Sequence, residues 1–196
     1  MTMIRKAIPL LCMVCLVLSC GNSHSGKGKI KVSQDATQGD TTEALTESDD
    51  LYLEKGLDLM KTETAGELRI GMRYEKVTEY MGGPGKITEP EMSQADGSLC
   101  QSVDYPDNGV HLVFNIESDS VRRISNILVI EPCQLKTSRQ IGIGSNFDDV
   151  RKAYSEVINP ELSDSTEIVA GTSYGGVVFD FRNNKVRTIY IGITSD

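Results

Sequence analysis

The sequence predicts an α+β fold: two tandem units, each a helix followed by an antiparallel meander, forming one continuous sheet with helices on one face. Three observations predict it. First, residues 68–81, "LRIGMRYEKVTEYM", are echoed by residues 141–154, "IGIGSNFDDVRKAY". Both carry an apolar residue, a spacer and Ile-Gly, then an aromatic three residues after the glycine, an acidic residue next, and Val six after the glycine. Second, the echo continues through "GVHLVF" (109–114) and "GVVFDF" (176–181), then "VRRI" (121–124) and "VRTI" (186–189), at offsets of 73, 67 and 65 residues. Third, the segments that follow each helix alternate apolar and polar residues, the period of a half-buried strand. A helix this short cannot cover a sheet alone, so the two units are expected to share one.

The elements follow in chain order. Residues 1–19 read as a signal peptide, with Arg5 and Lys6 ahead of an apolar run from Ala7 to Leu18. The run is too short for a spanning helix. Its end, Leu16-Val17-Leu18-Ser19-Cys20 followed by Gly21, resembles a bacterial lipobox, which makes Cys20 the expected lipidation site. Residues 20–47 form a polar tether, with Ile30, Val32, Ala36, Ala44 and Leu45 the clearly apolar residues between 21 and 50. Such a stretch buries too little to offset its ordering entropy, and as a flexible coil it reaches roughly 30 Å. Residues 48–65 follow as an N-terminal helix or extension. Ser48 with Asp49 and Asp50, and Leu53, Leu57 and Met60 at helical spacing, favour helix, whereas Gly56 and the Leu57/Leu59 alternation favour strand.

Repeat unit 1 spans 66–135 and unit 2 spans 136–196. In unit 1, Tyr74, Val77 and Met81 line one helical face, and Gly82-Gly83-Pro84 ends the helix. In unit 2, Ser145 is the expected N-cap with Asp148 three residues on. Phe147, Val150 and Tyr154 line the face, and Asn159-Pro160 is the expected stop. Strands are expected at 99–105, 109–116 and 121–130, and again at 168–174, 176–181 and 186–193. Val110, Leu112, Phe114 and Ile116 share the inner face of one; Val177, Phe179 and Phe181 share that of another.

The segment Ile70-Gly71-Met72, Val77, Met81-Gly82 and Pro84 resembles the one that opens the helical part of BamE-like (SmpA/OmlA) outer-membrane lipoproteins. The tandem arrangement of helix plus antiparallel sheet is similar to that of β-lactamase inhibitor protein, a member of the same fold group. The second copy keeps Gly144, Ser145 and Val150 and lacks the Gly-x-Pro end. The resemblance covers about residues 66–196 and implies a non-catalytic role. Members of this group clamp a protein partner with an open sheet face, or act as accessory lipoproteins in envelope assembly. No family contact residue transfers one by one.

Composition and motifs point the same way. The formal charge is −8, and −10 once Arg5 and Lys6 leave with the signal. Such a chain lacks the basic footprint of a nucleic-acid binder, and an anionic lipid surface repels it. Membrane attachment then rests on acyl chains, each buried CH₂ adding roughly 0.8 kcal/mol. Lys27, Lys29 and Lys31 lie near the anchor; no acidic cluster follows Cys20 directly, which places the expected site on the periplasmic side of the outer membrane. Of two histidines, His24 is in the tether and His111 is isolated in a strand, so no metal site is expected. "GIGSNF" lacks the lysine of a phosphate loop, and no histidine is placed to activate a Ser or Cys. No catalytic residues and no cofactor are expected. Cys100 and Cys133 could pair in an oxidising compartment, or remain two free thiols: in an up-down-up meander they fall at opposite ends, about 20 Å apart at 3.3 Å per residue, beyond the reach of a disulfide.

Alternation assigns the outer sheet face to His111, Val113, Asn115, Arg123, Ile127, Val129, Val178, Asp180, Arg182 and Tyr190. That mixture of apolar and charged residues suits a partner-binding surface, unless the 48–62 segment or a loop covers it. The expected function is therefore a lipid-anchored envelope protein that binds another envelope protein through this face, as an inhibitor or immunity-type clamp. The alternative is an accessory of outer-membrane assembly, with a cell-wall or glycan hydrolase as the rival of another class.

Overall fold

The computed structural model describes residues 47–193, apart from Ala95 and Ser173. The expected signal peptide, Cys20, His24 and almost all of the tether lie outside these residues. Among the described residues the helices are α1 (Glu47–Thr62), α2 (Tyr74–Met81) and α3 (Phe147–Ala153). The strands are β1 (Lys86–Ile87), β2 (Glu91–Met92), β3 (Leu99–Tyr105), β4 (Val110–Ile116), β5 (Arg122–Ile130), β6 (Glu167–Thr172), β7 (Gly175–Arg182) and β8 (Lys185–Gly192). They form one antiparallel sheet in the order β1-β3-β4-β5-β8-β7-β6, with β2 also on β3. The fold is α+β, with helices packed on the sheet.

The register shows how the halves join. Each unit is a three-stranded meander, β3-β4-β5 and β6-β7-β8, and the two last strands pair with each other. Leu128 stands opposite Tyr190, Ile127 opposite Ile191 and Val129 opposite Ile189. A pseudo-twofold axis therefore passes through the Leu128–Tyr190 pair. It relates Ile127 to Ile189 and Val129 to Ile191.

Both units carry a bulge at the same place. In β5 the register jumps from Phe114–Ile124 to Val113–Asn126, leaving Ser125 as the extra residue. In β8 it jumps from Phe181–Val186 to Asp180–Thr188, leaving Arg187. An extra residue flips every side chain beyond it to the opposite face. This corrects two expectations. Ile127 and Val129, 0% and 1% exposed, are core residues and not part of the outer face. The third repeat match is also displaced: Ile124, not Val121, occupies the place of Val186.

The helix entries share a reciprocal pair of backbone hydrogen bonds to the sheet. The Gly71 N–H donates to Ile124 O (2.7 Å) and the Ile124 N–H to Met72 O (3.0 Å); the Gly144 N–H donates to Val186 O (2.8 Å) and the Val186 N–H to Ser145 O (2.9 Å). Gly71 and Gly144 both adopt left-handed φ, +80° and +84°, where a side chain is disfavoured. The next aromatic then meets the sheet edge-on: Tyr74 on Phe114 at 5.5 Å, Phe147 on Phe181 at 4.8 Å. Such pairs add to the burial itself.

Other details differ from expectation. The N-cap of α3 is Asn146 without a side-chain cap bond, because the Ser145 hydroxyl oxygen instead accepts the Gly142 N–H at 3.0 Å. The helix ends at Ala153, before Asn159-Pro160, where Tyr154 leaves helical geometry and becomes fully buried. The ambiguous N-terminal segment is helical. Gly56 lets this helix approach the β6–β7 hairpin closely, since a Cβ there would stand 2.0 Å from Gly175 O. Leu59 of α1 joins the same core as Tyr74, Phe114, Phe179 and Tyr154, while Met60, the next residue, lines a cleft with Val113 and Tyr190 of the outer face, so α1 borders that face at one edge. Just beyond α1, Glu63 is 1% exposed. Its carboxylate accepts from the Ser138 N–H (2.7 Å), the Ser138 hydroxyl (2.5 Å) and the Tyr154 hydroxyl (3.0 Å). A buried carboxylate persists only with such partners.

Candidate functional site: the outer face of the sheet

Beyond the core lies the other sheet face, bordered by Met60 of α1. Register and alternation place on it Cys100, Ser102 and Asp104 from β3, His111, Val113 and Asn115 from β4, and Arg123, Asn126 and Leu128 from β5. Unit 2 adds Tyr190, Thr188, Val178, Asp180 and Arg182. Most of these are half-buried by their neighbours, with Asn115 and Arg182 exposed.

A cleft of ≈ 830 Å³ opens where unit 1 approaches the seam. It brings together four of the expected residues, Val113, Asn115, Arg123 and Tyr190, with Cys100 beside them. His111, Val178, Asp180 and Arg182 share the face but stand outside the cleft. Asn126 and Ile193 are lining residues that the sequence reading missed. Asn126 is placed there by the bulge at Ser125, which has no residue signature of its own.

Hydrogen bonds hold the cleft in shape. The Arg123 Nε donates to Glu117 Oε1 at 2.9 Å and its Nη1 to Gly71 O at 3.3 Å. Asn126 Oδ1 accepts the Ile193 N–H at 3.3 Å, and the Tyr190 hydroxyl donates to Ile193 O at 2.6 Å. On the same face, His111 Nδ1 sits 2.5 Å from Asp104 Oδ1. This tie gives the isolated histidine a partner within its own sheet.

Two groups that line the cleft have shifted acidities. Hydrogen bonds from the Ser98 N–H and hydroxyl pull Asp96, a lining carboxyl, below its ordinary value, which opposes a role as general acid. Burial, then the charges of Glu91 and Asp96, push the Cys100 thiol up, away from the reactive thiolate. Cys133 is a buried core thiol, also pushed up by burial. Both cysteines are free: Cys100 starts β3 on the outer face, while Cys133 follows the end of β5 in the core. At the far edge, burial and the neighbouring Asp180 and Asp164 raise the Glu167 carboxyl. Among the described residues no group of three His, Cys, Asp or Glu side chains is placed to hold a metal ion, and no helix is long and apolar enough to cross a membrane.

What this arrangement can do is hold something against a pleated, partly apolar surface with fixed polar groups along it. Compared with family models, with curated proteins and with solved structures, the chain finds no match.

Proposed function

We propose that this chain is a lipoprotein anchored through Cys20 on the periplasmic side of the outer membrane, and that its outer sheet face binds another protein of the cell envelope as an inhibitor or immunity-type clamp. The observation that carries the reading is the sheet itself: α2 and α3 pack on the core side, and Val113, Leu128, Val178 and Tyr190 lie on the other, where α1 contributes Met60 at the edge of the cleft. A purely solvated face is polar at nearly every position; this one is not. The anchor is supported by the sequence through Cys20, and the clamp by the resemblance of residues 66–196 to the inhibitor fold group. The same resemblance supports an assembly accessory as the second reading, since Ile70–Pro84 carries the BamE-like segment.

The test is a double substitution, Val178→Asp with Tyr190→Asp, in the full chain. It should leave the far-ultraviolet spectrum and cooperative unfolding in place and abolish capture of a crosslinked envelope partner in cells. Unchanged capture would sink the sheet-face reading. Identification of the captured protein, a hydrolase or an assembly component, separates the two versions.

A further inference from the structure

A second, shallower cleft of ≈ 490 Å³ lies around the turn that leads into α2. Four cations line it, Arg69, Arg73, Lys76 and Arg123, against one acid, Glu67. That is unexpected in a chain of net charge −8. Lys76 is held on the surface by Glu79 at 2.8 Å and Arg123 by Glu117. Arg69 and Arg73 are exposed and have no carboxylate partner among the described residues.

The duplication supplies an internal control. The backbone of this turn is hydrogen-bonded alike in both units, and Arg73 bridges Arg123 as Asn146 bridges Lys185. By that correspondence Arg69, Arg73, Lys76 and Arg123 stand where unit 2 has Gly142, Asn146, Asp149 and Lys185, and Glu67 stands where unit 2 has Gln140. The same scaffold thus forms with one cation and one anion. The fold does not require the cations at 69, 73 and 76 of unit 1, whose counterparts are Gly142, Asn146 and Asp149, and crowding them beside Arg123 costs self-repulsion. Their use is sought outside the chain.

Continuity indicates the occupant. Ile70, Gly71 and Arg123 line both clefts, so a chain seated on the outer face runs directly onto the basic turn. There the α2 N-terminus, whose N-cap Arg73 makes no side-chain cap bond, adds positive potential. Guanidinium forks match carboxylates two bonds at a time. We infer that Arg69, Arg73, Lys76 and Arg123 receive an acidic segment, a short run of Asp or Glu side chains, belonging to the protein that docks on the outer face. This rests on the reading that the outer face binds a protein, and it adds the chemistry of that partner.

The probe is an octaglutamate peptide, with octaglutamine as control, titrated into the isotope-labelled full chain and followed by amide chemical shifts. Octaglutamate should move the signals of residues 69–76 and 123 and leave 142–149 and 185 still; octaglutamine should move neither. Raising salt to about 0.5 M should weaken the response. The triple substitution R69G/R73N/K76D, which writes the unit 2 residues into unit 1, should weaken binding by at least about tenfold. No response, an equal response in the unit 2 turn, or a response unaltered in the triple variant overturns the inference. So does binding of inorganic phosphate at these residues without binding of octaglutamate. Should octaglutamate fail while Val178→Asp/Tyr190→Asp still abolishes capture, only the acidic-segment inference falls; normal capture by that double variant removes the reading beneath both.

Discussion

Unit 1 and unit 2 share their backbone bonds and differ in how their helical ends are held. At the end of α2, Met81 is half-buried and packs against the core. At the corresponding place in unit 2, Tyr154 is fully buried against Phe179, with its hydroxyl on Glu63 and the Arg139 guanidinium 4.7 Å from its ring centre. Unit 2 also carries α1, against β6 and β7. The difference teaches what duplication demands. Two copies must agree on the glycine that turns the chain, the inward apolar row and the bulge, because these set where each strand lies. Everything hung on that frame is free to diverge, including a polar latch in one half and a basic turn in the other.

The largest expected effect tests the frame at the seam. Ile127→Asp places a charge in the core shared by both units and should cost more than about 4 kcal/mol, enough to unfold the chain in urea titrations. Leu128→Asp, one residue along on the outer face, should cost under about 1 kcal/mol. Equal losses would mean that the bulge does not set the parity described.

A middle-sized effect breaks the latch. Glu63→Gln weakens the bonds from Ser138 and Tyr154 and should cost about 1–3 kcal/mol. Burial, then the charge of Glu63, pushes the Tyr154 hydroxyl above its ordinary value of 10.0. The folded state therefore favours the neutral phenol. Its contribution is complete below pH 10 and drains away as pH rises beyond it. Tyr154→Phe should flatten stability against pH in that alkaline window. Met81→Phe, its counterpart in unit 1, should leave the slope untouched.

The smallest effect sharpens the likeness. Gly71→Ala and Gly144→Ala meet no atom within 4 Å, so each should lose only about 1 kcal/mol of left-handed backbone preference. The two losses should match. A clear inequality in thermal unfolding would show that the turns are not equivalent.

The parts of the fold that were legible are those written locally. Gly71 and Gly144, Tyr74 and Phe147, and the alternating rows of β4 and β7 stand in the sequence as repeated spacing. Strand β3 matches its expected bounds at Leu99–Tyr105. Parity beyond the bulge was not legible, because Ser125 and Arg187 look like any strand residue; Ile127 and Val129 were therefore turned outward. Glu63 was invisible for another reason. Its partners Ser138 and Tyr154 lie 75 and 91 positions away, and no local pattern encodes such a meeting. Of the cleft, Val113, Asn115, Arg123 and Tyr190 could be read from alternation, while Asn126 depended on the bulge and Ile193 on the sheet's end.

The pairing of β5 with β8 has a consequence for the history and handling of the chain. An edge that bonds to a relative of itself about an axis is self-complementary, so a single ancestral unit could have closed the same way on a second copy. Fusion of two such units would make that association permanent. For the same reason, a fragment stopping at residue 135 would leave that strand bare and in search of its own likeness.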